Sequence, residues 1–274
     1  YSLNDYDGER VTFCSQEYGD GQGYIDFVKI RKYHDPEPTY EFGAEEIFSC
    51  EFLPNLTLVD TTVELYGDLE YNIVNLTNST ITIAQYNGTE GTGTLKIFAC
   101  SLFYMDSESQ INGVGKGYSG GVAETNGSGD GQGGAGIRGP YGSDNANDGG
   151  SGGGGAGIVG YGGKGGDGGD GETLDDVLPP GGAGGPNYGS NTNWGYLIGS
   201  GGGGGGNGGH AGGNGGNGGG AIYIESPNIT IVGIINVSGE NGENGFSGAD
   251  EIGSGGGGGG SGGTIVLVGD YVNI

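Results

Sequence analysis

Between Ile47 and Met105, apolar and β-branched residues recur in short alternating runs: Leu56-Thr-Leu-Val59, Thr62-Val-Glu-Leu-Tyr66, Tyr71-Asn-Ile-Val74, Ser79-Thr-Ile-Thr-Ile83 and Thr94-Leu-Lys-Ile-Phe98. A period of two with this choice of residues predicts half-buried strands. Tyr66-Gly-Asp68 and Asn87-Gly88 carry turn chemistry and predict breaks between them. Spacings of about ten residues suit a sandwich, or a parallel coil whose successive rungs stack.

The C-terminal third repeats itself. Gly219-Gly-Ala-Ile-Tyr-Ile-Glu-Ser-Pro-Asn-Ile-Thr-Ile231 aligns without gaps with Gly262-Gly-Thr-Ile-Val-Leu-Val-Gly-Asp-Tyr-Val-Asn-Ile274, an offset of 43 residues. Ile222 falls on Ile265, Ile224 on Leu267, Ile229 on Val272 and Ile231 on Ile274. A looser copy starts at Thr94, with Leu95, Ile97, Leu102 and Tyr104 in the same four places. Each unit reads as a strand, a corner and a second strand, too thin to bury its own apolar face, so copies must stack to make a core. The last copy stops mid-repeat, which predicts an open strand edge over Thr264–Ile274.

Residues 1–45 are acidic and rich in tyrosine, with a predicted strand from Tyr24 to Lys32 closed by Asp35-Pro-Glu-Pro38. They read as an arm or capping hairpin ahead of a strand-rich region, 46–118, and a glycine-rich region, 119–274, that contains the strand repeats 221–239 and 264–274. The expected fold class is all-β: stacked β-helix-like or sandwich strands with polyglycine II-like coils and almost no helix.

Composition sharpens the division. Of 74 glycines only nine fall in the first hundred residues. Ordering glycine costs more backbone entropy than ordering any other residue, so these runs must be either disordered or densely hydrogen-bonded. Tyr161-Gly-Gly-Lys164-Gly-Gly-Asp167-Gly-Gly-Asp170 keeps a strict period of three, and Asn214-Gly-Gly-Asn217-Gly-Gly repeats it. Three residues per turn with an open backbone is the geometry of an extended threefold helix that retains its N–H donors, so neighbouring coils can bond laterally. An ordered bundle would place Lys164, Asp167 and Asp170 on one outer edge.

A net charge of −26 with eight Lys and Arg repels a phosphate backbone, so nucleic acid is not an expected partner. No apolar run approaches the roughly 20 residues needed to cross a bilayer as a helix, and the first residue, Tyr1, suggests a mature chain. Asn-X-Ser/Thr begins at Asn55, Asn75, Asn78, Asn87, Asn126, Asn228 and Asn236, against about three expected by chance. These seven are the candidate glycosylation sites, and they place the chain outside the cell or on its surface. Cys14, Cys50 and Cys100 each follow a phenylalanine by one or two residues and show no metal-ligand spacing. In an oxidising compartment one pair is expected, and Cys50 with Cys100 is the preferred one because each closes a strand-like segment.

Little catalytic chemistry is legible. Gly117-Tyr-Ser-Gly-Gly121 formally matches a nucleophile elbow at Ser119, but glycine this frequent makes the match accidental. The two histidines, His34 and His210, have no acid at a telling spacing. No cofactor is expected; Gly129-Asp-Gly131 and Gly166-Asp-Gly-Gly-Asp-Gly171 hint at Ca2+ but lack the nine-residue repeat of a calcium-binding roll. Seventeen tyrosines suit interfaces and thin cores, where a ring is buried while its hydroxyl finds a polar partner.

The unit Gly-Gly-Ala-Ile-Tyr-Ile-Glu225 through Gly-Ile-Ile-Asn-Val-Ser-Gly239, entered from a long glycine run, resembles the glycine-rich repeat proteins of microbial and protist surfaces, among them flagellar-hair (mastigoneme) components. The resemblance covers residues 94–274 and rests on repeat style. The glycine runs are also similar in kind to the polyglycine bundles of phage tail-tip adhesins and antifreeze proteins, from which the long strands and the excess of sequons depart. The function expected is therefore a non-enzymatic structural subunit of an extracellular glycosylated filament, polymerising with itself through strand edges. An adhesin or lectin-like module is the alternative.

Overall fold

The computed structural model describes residues 50–137, 153–155, 162–165, 181–186, 197–207, 210–246 and 254–274, with four short strands between residues 10 and 31. Contacts divide the chain into two units, Tyr1–Phe48 and Ser49–Ile274. In the first, β1 (Arg10–Thr12) pairs antiparallel with β4 (Lys29–Arg31), and β2 (Gln16–Tyr18) with β3 (Gln22–Tyr24). Of the strand expected over Tyr24–Lys32, Tyr24 ends β3 and 29–31 form β4, while 25–28 and 32 lie outside the described residues.

The second unit is built from successive rungs that alternate between two sheets. The first rung holds β5 (Leu56–Val59) and β6 (Thr62–Leu65), the second β7 (Gly67–Thr77) and β8 (Thr80–Ile83), the third β9 (Thr94–Met105) and β10 (Gln110–Asn112). The fourth holds β11 (Ala221–Glu225), β12 (Asn228–Ile231) and β13 (Ile234–Asn236), the fifth β14 (Ile265–Val268) and β15 (Tyr271–Asn273). One sheet has seven strands, β5, β7, β9, β11, β12, β14 and β15; the other runs β6-β8-β10-β13.

Every pairing in these two sheets is parallel. That corrects the expected all-β class. A sandwich is built of antiparallel sheets, and parallel ones ordinarily belong to α/β chains whose helical crossovers cover them. Here the connections 113–220 and 237–264 are glycine-rich, and their described residues are neither strand nor helix. All-β fits such a chain only loosely.

In-register stacking lines like side chains into columns. Leu56, Val74, Phe103, Ile229 and Val272 form one; Leu69, Ile97, Ile224 and Leu267 another; Val63, Ile81, Ile111 and Ile235 run through the smaller sheet. The middle members are wholly buried, each worth about 1.5–3 kcal/mol when removed from water. The 43-residue offset is a register, since Ile222 pairs Ile265, Ile224 pairs Leu267 and Ile229 pairs Val272.

The looser copy needs correction. Leu95 and Ile97 take their assigned places, but the second pair is Phe103 and Met105, not Leu102 and Tyr104. Between Phe98 and Phe103 β9 has one residue more than β11 and β12 have between Glu225 and Ile229, and it carries the same surplus opposite Tyr71–Ile73 of β7. The extra residue is a bulge, and a one-residue slip exchanges inside for outside. The expected turn at Tyr66-Gly-Asp68 is likewise a corner: Gly67, at φ +74°, opens the long strand β7.

Corners between the sheets form a polar ladder. Asp60 (φ 50°) and Asn78 (φ 43°) turn the chain in the left-handed region that Asn and Asp tolerate. Asn78 Nδ2 donates to Asp60 Oδ1 at 2.7 Å, and the Asn78 N–H to Asp106 Oδ2 at 3.1 Å. The Ser109 hydroxyl donates to Asp106 Oδ1 at 2.6 Å and is the main reason that carboxyl titrates below its ordinary value.

Candidate functional site

Two features of the second unit are candidates for function: a lattice of glycine segments and an open strand edge. At the centre of the lattice, 199–206 is buried throughout. Its amides point outward with a period of three. Gly199, Gly202 and Gly205 donate to the carbonyls of Gly219, Gly216 and Gly213; Gly201 and Gly204 donate to Ser128 and Thr125; Gly203 donates to Gly154. Its carbonyls accept in the same rhythm. Gly199, Gly202 and Gly205 receive Tyr118, Gly121 and Glu124; Gly201 and Gly204 receive Gly133 and Gly136; Ser200, Gly203 and Gly206 receive Ser261, Gly258 and Gly255. All these bonds measure 2.7–3.0 Å.

The central segment is thereby bonded to six others. It runs parallel to 118–124 and 133–136 and antiparallel to 213–219, 125–128 and 255–261. A net gain of about 1 kcal/mol per hydrogen bond matches the roughly 1–2 kcal/mol of backbone entropy lost per ordered residue. The lattice can therefore stand only where almost every amide is bonded.

Such close approach excludes side chains. A Cβ on Gly201, Gly202, Gly203, Gly204, Gly205 or Gly206 would meet the carbonyl oxygen of Ser119, Gly258, Gly134, Val122, Gly255 or Ile137, respectively. Larger residues occur mainly at the rim, where they replace a missing neighbour. Asn217 Oδ1 accepts the Gly120 N–H at 2.9 Å and Asn214 Oδ1 the Ala123 N–H at 3.3 Å, while Glu240 Oε2 accepts Asn217 Nδ2 at 2.8 Å and Glu243 Oε2 the Asn214 N–H at 3.1 Å. The sequence reading missed Glu240 and Glu243; their signal was a spacing of three, shared with Asn214 and Asn217. Lys164 is exposed, and Asp167 and Asp170 lie outside the described residues.

The open edge belongs to β14 and β15, beyond which no strand lies among the described residues. It leaves Ile265 42%, Val268 41%, Tyr271 60%, Val272 41% and Ile274 85% exposed, an apolar rim on unpaired backbone. The Tyr271 N–H donates to Pro227 O at 3.0 Å, so by the alternation of a parallel ladder the Val272 N–H faces the open side.

A disulfide joins Cys50, in a 3-10 turn over Cys50–Phe52, to Cys100 beside the β9 bulge, with Cα atoms 5.7 Å apart. Cys14 lies outside the described residues. With the partners 50 positions apart, loop-closure entropy sets the stabilisation at about 2–4 kcal/mol. Cys50→Ala with Cys100→Ala is expected to lose that much in a urea titration; an unchanged midpoint would remove the clamp from the account.

Of the seven sequons, Asn55, Asn78, Asn87, Asn126, Asn228 and Asn236 are exposed and Asn75 is half-buried in β7. Ser119 is exposed between half-buried neighbours, with its carbonyl accepting the Ser128 N–H at 3.0 Å. His210 lies against Phe246, ring centres 4.0 Å apart, and His34 is outside the described residues. Asp130, of the first calcium hint, is exposed beside Gly129, and 166–171 are outside the described residues. Among the described residues no three His, Cys, Asp or Glu side chains gather as metal ligands, and no helix is long and apolar enough to cross a membrane. No family model, curated protein or solved structure matches this chain.

Proposed function

We propose that this chain is a structural subunit of an extracellular, glycosylated filament or surface appendage, and that copies join end to end by strand addition. The observation that carries the reading is the open β14–β15 edge, where parallel strands with no further strand beside them among the described residues carry five exposed apolar side chains. Strand addition supplies affinity through main-chain bonds and specificity through alternate side chains. The segment proposed to add is the neighbour's N-terminal one, within Arg10–Lys32, where β1–β4 already show strand geometry. The lattice supports a mechanical role, because its rigidity comes from backbone bonds spread in six directions and not from a thick apolar interior.

Electron microscopy tests it. The purified chain is expected to form fibres with a regular axial repeat, and Val272→Pro to yield discrete particles, since proline removes an outward donor at an edge where the ladder to β12 does not need it. Discrete particles from the unaltered chain, or fibres that persist in Val272→Pro, would sink the proposed contact.

A further inference from the structure

Sequons are judged in a sequence by three letters, but the folded chain presents their amides very differently. At Asn87 the Thr89 N–H donates to Oδ1 at 2.9 Å, while the Thr92 hydroxyl, 3.2 Å from Oδ1, donates to the Thr89 carbonyl at 2.6 Å. At Asn236 the Ser238 N–H and hydroxyl both donate to Oδ1, at 3.0 and 2.7 Å. In both, the residue two places on, the one that completes the sequon, closes a turn on the amide oxygen. The oxygen is thereby fixed, both residues are exposed, and no bond engages either Nδ2 among the described residues. That nitrogen is the atom a sugar must reach.

Asn75 is the opposite case. It lies inside β7 with Thr57 of β5 on one side and Tyr104 of β9 on the other, at ladder spacing of about 4.8 Å. Its side chain is half-buried, and Oδ1 is shut from water with no hydrogen-bond partner. A sugar on this amide would have to stand between the side chains of Thr57 and Tyr104, which flank Asn75 on the same face of the sheet.

We infer that the fold sorts the sequons: Asn87 and Asn236 carry N-linked glycan, and Asn75 is bare. Asn87 lies shortly after β8 and Asn236 is the last residue of β13, both strands of the smaller sheet, so the glycans leave the stack where that sheet passes into connecting segments. The inference rests on the proposed extracellular route, which supplies the sugar donor and its transferase.

The test is glycopeptide mass spectrometry on the full chain secreted from a eukaryotic host, with enzymatic glycan release in heavy-oxygen water to mark each occupied Asn. Occupancy is expected at Asn87 and Asn236 and absent at Asn75; Thr89→Ala and Ser238→Ala should each remove one glycan mass, and Thr77→Ala none. Sugar on Asn75 of the folded protein overturns the inference, as does sugar on other sequons with Asn87 and Asn236 both empty. All seven bare on secreted chain would instead defeat the glycoprotein reading itself, and the inference with it.

Discussion

Gly203→Ala is expected to destabilise the second unit by about 3 kcal/mol or more, while Gly259→Ala leaves it unchanged or slightly more stable. Neither glycine has a left-handed backbone, so the contrast is one of space alone. A Cβ on Gly203 meets the carbonyl of Gly134, with the Gly133 oxygen also close, whereas on Gly259 the nearest atom is the Glu240 oxygen at 3.5 Å. Overpacking a close-packed site costs about 1–3 kcal/mol, and more where the obstacle is a backbone already held by bonds on several sides. Against that, alanine lowers the entropy of the unfolded chain by about 0.4–1 kcal/mol, which is all that remains at Gly259. Urea titration of both variants, read with amide exchange over 199–206, measures the difference. Equal stability of the two would mean that the glycine segments do not pack as a lattice in solution.

Phe103→Ala should cost about 3–5 kcal/mol, and Leu102→Ala about 1 kcal/mol. Phe103 is fully buried in the column that runs from Leu56 to Val272, and truncating it leaves a cavity bounded by neighbouring rungs that cannot collapse without losing register. Leu102 is half-buried on the other side of the strand. Thermal or urea denaturation distinguishes them, and the reverse order would restore the register read from the gapless repeat and displace the bulge from β9.

That bulge shows where reading the chain letter by letter stops. The 43-residue period between 219–231 and 262–274 could be recognised because parallel in-register stacking demands the same kind of side chain at the same place in each rung. The copy at Thr94 obeys the same demand, yet one added residue moves the inward places to Phe103 and Met105. Nothing in Ala99-Cys-Ser-Leu102 announces it: Leu102 and Phe103 are both plausible core residues, and only pairing with β7 and β12 chooses between them. The direction of pairing was similarly hidden, since alternation by two is common to parallel and antiparallel strands.

The lattice divides in the same way. Its period of three is written in the glycine pairs, and its rim in Asn214 and Asn217, because a side chain as large as asparagine fits where a neighbouring segment is missing. Which segment bonds to which is written nowhere. Glycine has no side chain to distinguish one run from another, so the partners of Gly199, Gly202 and Gly205 are set by where the rungs launch and recover each excursion. Local periodicity, being a property of consecutive residues, belongs to the sequence by itself; the choice among chemically identical backbone partners, and the unequal burial of the seven sequons, belongs to the tertiary structure, because both depend on atoms brought together from distant parts of the chain.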